Sequence, residues 1–293
     1  MTRYFLDSEY RPLKAVLLCR PALQIGNAAD PGKFLHLRKI DLAAMEAEFR
    51  GIIELYKKLK IKSYLLNSQK MPHSVNQYLF NIMFTRDLFF MTVSGAILSR
   101  MASVVRRQEP RYAERELKKI GVRIRKVIQG NATFEGADAL WINPRLVAVG
   151  VGKRTNHSGF VQFKEELQRD DIQCVGLPAP CATLHLLGAL QLVDKNLALV
   201  RVGLVKPEII SFLKENKIRI IKIPENNEVR NKQAMNFVTL APKRIIMPAF
   251  CPRTKIIFQR HGIKVAAEIP VTQLINGGGG LACATGILAR ARY

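Results

Sequence analysis

No run of apolar residues is long enough to span a bilayer, which excludes a helical membrane anchor as the basis of function. The opening segment, MTRYFLDSEYRPLK, lacks the charged-then-apolar order of a signal peptide, so the expectation is a soluble cytoplasmic protein. Cysteine is sparse: Cys19, Cys174, Cys181, Cys251 and Cys283 are scattered, with no CxxC spacing. An odd, dispersed set argues against a disulfide framework and against a zinc site. Acidic residues are scarce, 23 against 46 Lys and Arg, for a formal net charge of +23. A nucleic-acid or other anionic partner would fit that charge. The basic residues are dispersed, however, as in ERELKKIGVRIRK, with no polybasic tail and no aromatic–basic interleaving. The charge therefore reads as a generally basic surface, with nucleic acid left as a lesser option.

What is present is a core and a repeat. The chain has 293 residues, 48 % of them hydrophobic, ample for burial. Strand-like and helix-like patterns alternate along it. ADALWIN and LVAVGVG read as two strands around a turn at Asn143-Pro144, followed by a helix in HSGFVQFKEELQRD and a strand in IQCVGLP. The same order recurs in GALQLV–LALVRV, KPEIISFLKENK and IRIIKIP. It recurs in DLFFMT–AILSRM, EPRYAERELKKIG and VRIRKVI, and in NFVTLA–RIIMPAF, PRTKIIFQRHG and IKVAAEI. A first block fits with a longer insertion: KAVLLCR, a helix in DLAAMEAEFRGIIELYKKLK, and IKSYLL. Five strand–strand–helix–strand units of roughly 50 residues each follow. Such units close most naturally into a ring, an α/β propeller of five ββαβ blades around a central channel. The expectation is one catalytic domain over residues 1–293.

Polar residues fall in step with that repeat. At or just before the first strand of successive blocks stand Asp87, Glu135 with Asp138, His185, Asn236 and Cys283. In a ring, equivalent positions meet at one end of the axis. Cysteine, histidine and carboxylate together make a nucleophile, a base and an orienting group. Further buried carboxylates are costly unless a cation neutralises them. A planar guanidinium is the natural match, because it donates paired hydrogen bonds to carboxylates. The residues alone thus point to a thiol enzyme acting on a guanidinium, with no cofactor and no metal. Beside Cys283 lies the one low-complexity stretch, Gly277 to Gly280, which suits close passage of backbone past a ligand.

Four strings carry a resemblance: NIMFTRDLFFMTVSGAILSRM with RRQE, FEGADALWIN with VGVGKRTN, LHLLGALQLVD, and GGGGLACATG. Through them the chain resembles the guanidino-group-modifying superfamily of arginine deiminases, arginine dihydrolases, dimethylarginine dimethylaminohydrolases and amidinotransferases. That resemblance implies the pentein fold, a five-bladed α/β propeller. It implies Cys283 as nucleophile, His185 as acid and base, and Glu135 and Asp87 as carboxylates holding the guanidinium. It places Asn81, Arg106 and Arg154 at the α-carboxylate of an amino-acid substrate.

Two positions depart from the pattern of the usual deiminases. Leu187 stands where they carry an aspartate two residues after the histidine, and Gly278 where many carry an arginine before the cysteine. One guanidinium-holding carboxylate is therefore missing, or Asp138 or another residue replaces it. The strings FEGADALW and LHLLGAL look closest to the arginine dihydrolases. The leading expectation is therefore hydrolysis of free arginine through a covalent cysteine intermediate. The product would be ornithine with ammonia, or citrulline if one nitrogen is removed. A dimethylaminohydrolase, an amidinotransferase and a non-catalytic propeller that binds nucleic acid or ribosomes stay open as alternatives.

Overall fold

A computed structural model describes residues 4–68 and 79–292. Its strands run in chain order β1 (Leu13–Arg20), β2 (Lys62–Asn67), β3 (Phe89–Met91), β4 (Ala96–Leu98) and β5 (Ile124–Val127). There follow β6 (Ala139–Asn143), β7 (Leu146–Val151), β8 (Gln173–Pro178), β9 (Leu190–Asp194) and β10 (Leu197–Val200). The last are β11 (Arg219–Lys222), β12 (Val238–Ala241), β13 (Arg244–Pro248), β14 (Lys264–Ile269) and β15 (Gly286–Arg290). They form five three-stranded sheets, ordered β3-β4-β5, β6-β7-β8, β9-β10-β11, β12-β13-β14 and β15-β1-β2. In each, the first strand pairs antiparallel with the middle one, which pairs parallel with the third.

The parallel step needs a crossover, and a helix supplies it each time: Leu42–Lys58, Glu109–Lys119, His157–Gln168, Pro207–Glu215 and Pro252–Arg260. Local chemistry starts these helices. The Asp41 carboxylate accepts from Ala44 N–H at 3.0 Å and Asn156 Oδ1 from Gly159 N–H at 2.8 Å. Such caps satisfy donors that the first turn leaves without partners. The other three carry proline in the first turn. All five stop alike, with left-handed backbone just beyond the helix at Lys60, Gly121, Asp171, Lys217 and Gly262. Hairpins are set by turns such as Asn143–Arg145, where Arg145 N–H donates to Asn143 Oδ1 at 2.9 Å.

Burial is graded across each sheet. First and middle strands such as β3, β4 and β6 are almost wholly buried, whereas β2, β5 and β11 face solvent along much of their length. The first strands touch at the interior: β15 meets β3, and β12 meets both β9 and β1. Residues at the mouths of those strands are thereby drawn together. Four sheets match the expected blocks. In the fifth, the first strand is β15, from the far end of the chain, paired with β1. No helix among the described residues is long and apolar enough to cross a membrane.

Candidate active site

Three short 3-10 turns, Thr85–Asp87, Gly136–Asp138 and Leu186–Gly188, lead into β3, β6 and β9, and each touches the next. The closeness of the first two depends on the glycine of FEGAD. A Cβ on Gly136 would lie 2.3 Å from Phe89 O and 2.6 Å from Arg86 O. With that clearance Glu135 and His185, the residues flanking the second and third turns, come together beside Asp87. His185 Nε2 lies 2.7 Å from Glu135 Oε2, and its Nδ1 lies 3.8 Å from Asp87 Oδ1. All three side chains are buried.

Charge in this cluster is strongly coupled. Burial alone would lower the His185 pKa, but Asp87, the Glu135 hydrogen bond and Asp138 push it up to about 9. Burial would raise Glu135, but its bond to His185 and the charges of His185, Arg106 and Arg154 hold it at about 2. The resting pair is an imidazolium on a carboxylate. Asp87 Oδ2 accepts from Arg106 Nη1 at 2.6 Å, whereas its buried Oδ1 has no hydrogen-bond partner among the described residues. A buried, unsatisfied carboxylate oxygen is costly, and a cationic ligand would relieve it.

Cys283 is delivered by the chain after the glycine run. Its carbonyl accepts from Arg86 N–H at 3.0 Å, which ties the cysteine loop to the Thr85–Asp87 turn. The run is shaped by neighbours on both sides. A Cβ on Gly279 would come 2.3 Å from the Phe84 ring, and one on Gly280 would come 2.7 Å from the Asn236 side chain. Gly278 has φ +87°, and its Cβ would sit 3.0 Å from Leu35 O. An arginine at that position would be strained, which gives a physical reason for that departure from the deiminase pattern. Desolvation and the Asp87 charge push the Cys283 thiol up to about 11, against a hydrogen bond from Asn236. At neutral pH the sulfur therefore rests as the thiol.

Cys283, His185 and Asp87 line one open cavity of about 1210 Å³, with Asn81, Arg106, Arg154, Leu187 and Asn236 also in its wall. Arg154 reaches inward, 3.6 Å from Glu135 Oε1. Asn81 and Arg106 are more committed than expected. Asn81 Nδ2 donates to Phe34 O at 2.8 Å. Arg106 donates from Nε to Glu109 at 2.8 Å, and from Nη2 to the carbonyls of Asn81 and Phe84 at 3.4 Å. To take up a carboxylate, Arg106 would have to exchange a partner. Asp138 does not line the cavity. Its oxygens accept from Thr155 Oγ1 at 2.7 Å and Leu186 N–H at 3.1 Å, so it braces the histidine turn. Burial raises its pKa to about 7.

Two residues escaped assignment in the sequence. Glu109, fully buried beneath Arg106, follows RRQ at the start of a helix and looks like ordinary surface charge. Asn236 shares the phase of the site but belongs to none of the resembling strings. One donor atom from each of Asp87, Glu135 and His185 lies within 4.8 Å of the others, a set that could also bind a divalent cation. Arg106 and Arg154, directly against those carboxylates, favour a singly charged planar cation instead.

The family model described as "N,N dimethylarginine dimethylhydrolase, eukaryotic" matches residues 36–289. An arginine deiminase of Borreliella afzelii is 24 % identical over 268 residues, 76 % of this chain and 65 % of that protein, so the match spans just under two thirds of that relative. A mutant dimethylarginine dimethylaminohydrolase of Pseudomonas aeruginosa, in complex with citrulline, is similar in structure. It has a TM-score of 0.74 and 22 % identity over 94 % of this chain and 99 % of that one. SxtG, an amidinotransferase of Microseira wollei from the saxitoxin biosynthetic pathway, has a TM-score of 0.79. The identity there is 16 %, over 99 % and 98 % of the two chains. At such identities the two structures speak to the fold alone.

Proposed function

Because the chain belongs to the N,N-dimethylarginine dimethylhydrolase family, we propose that it hydrolyses the terminal C–N bond of an N-methylated arginine, giving citrulline and a methylated amine. The described chain is read as one catalytic unit, its five sheets closing as a five-bladed α/β propeller about the site. One observation carries the choice of substrate. Leu187, two residues after His185, lines the cavity with an apolar side chain where an acid would bind an unmodified nitrogen. An apolar wall suits a methylated nitrogen that has fewer N–H groups to satisfy.

The site supports two half-reactions. The guanidinium docks on Asp87 Oδ1, which accepts no hydrogen bond from the described residues, offsetting the negative charge that raises the Cys283 thiol. The thiol proton leaves to solvent, and Sγ adds to the guanidinium carbon. Protonated His185 gives its proton to the departing amine, leaving an S-linked amidinium on Cys283. Neutral His185 then takes a proton from water as the water adds to the same carbon. Sulfur leaves as thiolate, the added hydroxyl gives up its remaining proton to solvent, and the urea group of citrulline forms. Glu135 holds the imidazolium in place, and fixed carboxylates stabilise positive charge throughout. Arg154 faces the α-carboxylate.

Free arginine is the second reading, favoured by the FTRD string and by the similarity to an arginine deiminase. Product analysis after incubation with asymmetric dimethylarginine, monomethylarginine and arginine decides between them. Citrulline with dimethylamine or methylamine is the expected result. Turnover of arginine alone, to citrulline or ornithine, would shift the assignment to the second reading. The absence of any product or thiol adduct from all three would remove both.

A further inference from the structure

Asn236 precedes β12, as Asp87, Glu135 and His185 precede their own first strands, and it makes more bonds to the nucleophile loop than any residue given a role above. Its Oδ1 accepts from Ala282 N–H at 2.7 Å and from Cys283 N–H at 3.2 Å. Its Nδ2 donates to Cys283 Sγ at 3.1 Å and to Gln233 Oε1 at 3.0 Å. The residue is 7 % exposed, so these bonds are little contested by water. Two strained or spatially exacting positions hold it there. Gln233 adopts left-handed backbone, φ 50°, and its carbonyl accepts from Asn236 N–H at 2.7 Å. On the other side, Gly280 is bare where any Cβ would strike the amide.

We propose that Asn236 is a further catalytic residue, which fixes the cysteine loop through its oxygen and stabilises the Cys283 thiolate through its N–H. The two ends of the amide do different work. The oxygen acts as a hinge pin on two successive backbone N–H groups, so the loop cannot rotate the sulfur away from the cavity. The nitrogen supplies the side-chain donor to Sγ, beside the backbone N–H of Gly280, and a donor favours the charged form of a thiol. Facing the sulfur are Asp87, which opposes ionisation, Arg106, which favours it, and His185 across the cavity. Asn236 thus counters the desolvation and the Asp87 charge before substrate arrives, and it remains bonded to sulfur as the leaving thiolate of the second half-reaction. This inference rests on Cys283 as nucleophile, but its test reads the sulfur without substrate.

The rate of Cys283 alkylation by iodoacetamide is measured against pH, on the Cys283 peptide by mass spectrometry because Cys181 is also exposed. Asn236→Ala should move the midpoint up by about one to two pH units, the size expected of a hydrogen bond to a charged group. Asn236→Asp keeps the acceptor for both backbone amides, replaces the donor and adds charge, so its midpoint should rise further. Gly280→Ala should move the midpoint in the same direction without altering any charge, by displacing the amide. Turnover should fall with unchanged KM in each. Should Asn236→Ala fail to fold, the aspartate and Gly280 variants carry the test. Alkylation profiles that superimpose on the wild type in folded variants would overturn the proposal, whatever happens to turnover. A wild-type Cys283 that is alkylated normally while no guanidino compound is turned over would instead count against the proposed function.

Discussion

Arg86 and Asp87 are consecutive residues on one turn, yet they join two different buried charge clusters. Asp87 faces the open cavity with Arg106, His185 and Cys283, and Glu135 lies behind His185. Arg86 turns the other way and binds both oxygens of Glu9, at 2.9 and 3.1 Å. Arg290 lies beside that pair, giving its Nη1 hydrogens to Arg11 O at 2.6 Å and Thr239 O at 2.9 Å, and burial lowers its pKa to about 10. Glu9, Arg86 and Arg290 border a void of about 20 Å³, walled also by Leu140, Phe237 and Ile287. That is room for about one water molecule. Buried charge is therefore common to both clusters and identifies neither. What separates them is access, a nucleophile and a carboxylate oxygen left without a hydrogen-bond partner among the described residues.

The largest effect expected is at the nucleophile. Cys283→Ala should cut turnover about 10⁴-fold or more, by comparison with removal of other covalent nucleophiles. Its unfolding free energy should change by about 1 kcal/mol, the scale of losing one small, half-buried side-chain group and its bond from Asn236. Retained turnover in a folded variant would erase the distinction between the two clusters.

A crossed pair of substitutions tests the distinction directly. Glu9→Ala strands Arg86 in the core and should cost about 3–5 kcal/mol of stability in denaturant titration, as for other broken buried pairs. Its turnover per folded molecule should be unchanged. Glu135→Gln should do the reverse, losing about 10²–10⁴-fold in kcat with a smaller loss of stability. Activity lost in Glu9→Ala at full stability would show that the inner cluster also serves the chemistry.

The pH dependence of stability carries opposite signs for neighbouring groups. His185 has a folded pKa of about 9, above its ordinary 6.5. Its contribution is therefore fully present below pH 6.5 and is lost as pH rises through 9. Glu135, held at about 2 from an ordinary 4.5, contributes above pH 4.5 and loses that contribution as pH falls through 2. Melting of wild type against His185→Gln should show a difference that shrinks between pH 6.5 and 9. A constant difference over that range would mean that the imidazole is neutral in the fold. The activity limb that needs protonated His185 should fall near pH 9 and move to lower pH in Glu135→Gln.

Much of the site was legible because phase survives in sequence. Asp87, Glu135, His185 and Cys283 each stand at the mouth of a first strand, and four of the five sheets are local in the chain. The fifth is not: β1 finds its first strand in β15, and no local pattern announces a pairing across the whole chain. Nor does the sequence separate Arg86 from Asp87. In FTRD they are adjacent, and only the direction of the turn sends one to Glu9 and the other to His185. Arg106 shows the same limit. Its pairing with Glu109 joins the end of a short 3-10 turn to the start of a helix, which spacing permits but does not require. Asn236 was visible in phase, but an amide has no distinctive chemistry until its partners are known.

Arg154 offers the smallest and finest test. It reaches the cluster without being saturated by carboxylates, its one ion pair among the described residues being the 3.6 Å approach to Glu135. Arg106, by contrast, is held between Asp87 and Glu109 at 2.6 and 2.8 Å. If a substrate carboxylate binds Arg154, Arg154→Ala should raise KM about tenfold with little change in kcat, the mark of binding shared by ground and transition states. Arg154→Lys should recover only part of the loss, because a point charge replaces a bidentate fork. A fall in kcat at constant KM would instead mean that Arg154 acts through Glu135, whose low pKa it helps to maintain. In that event the carboxylate-binding role passes to Arg106, and substrate binding must break one of its two ion pairs.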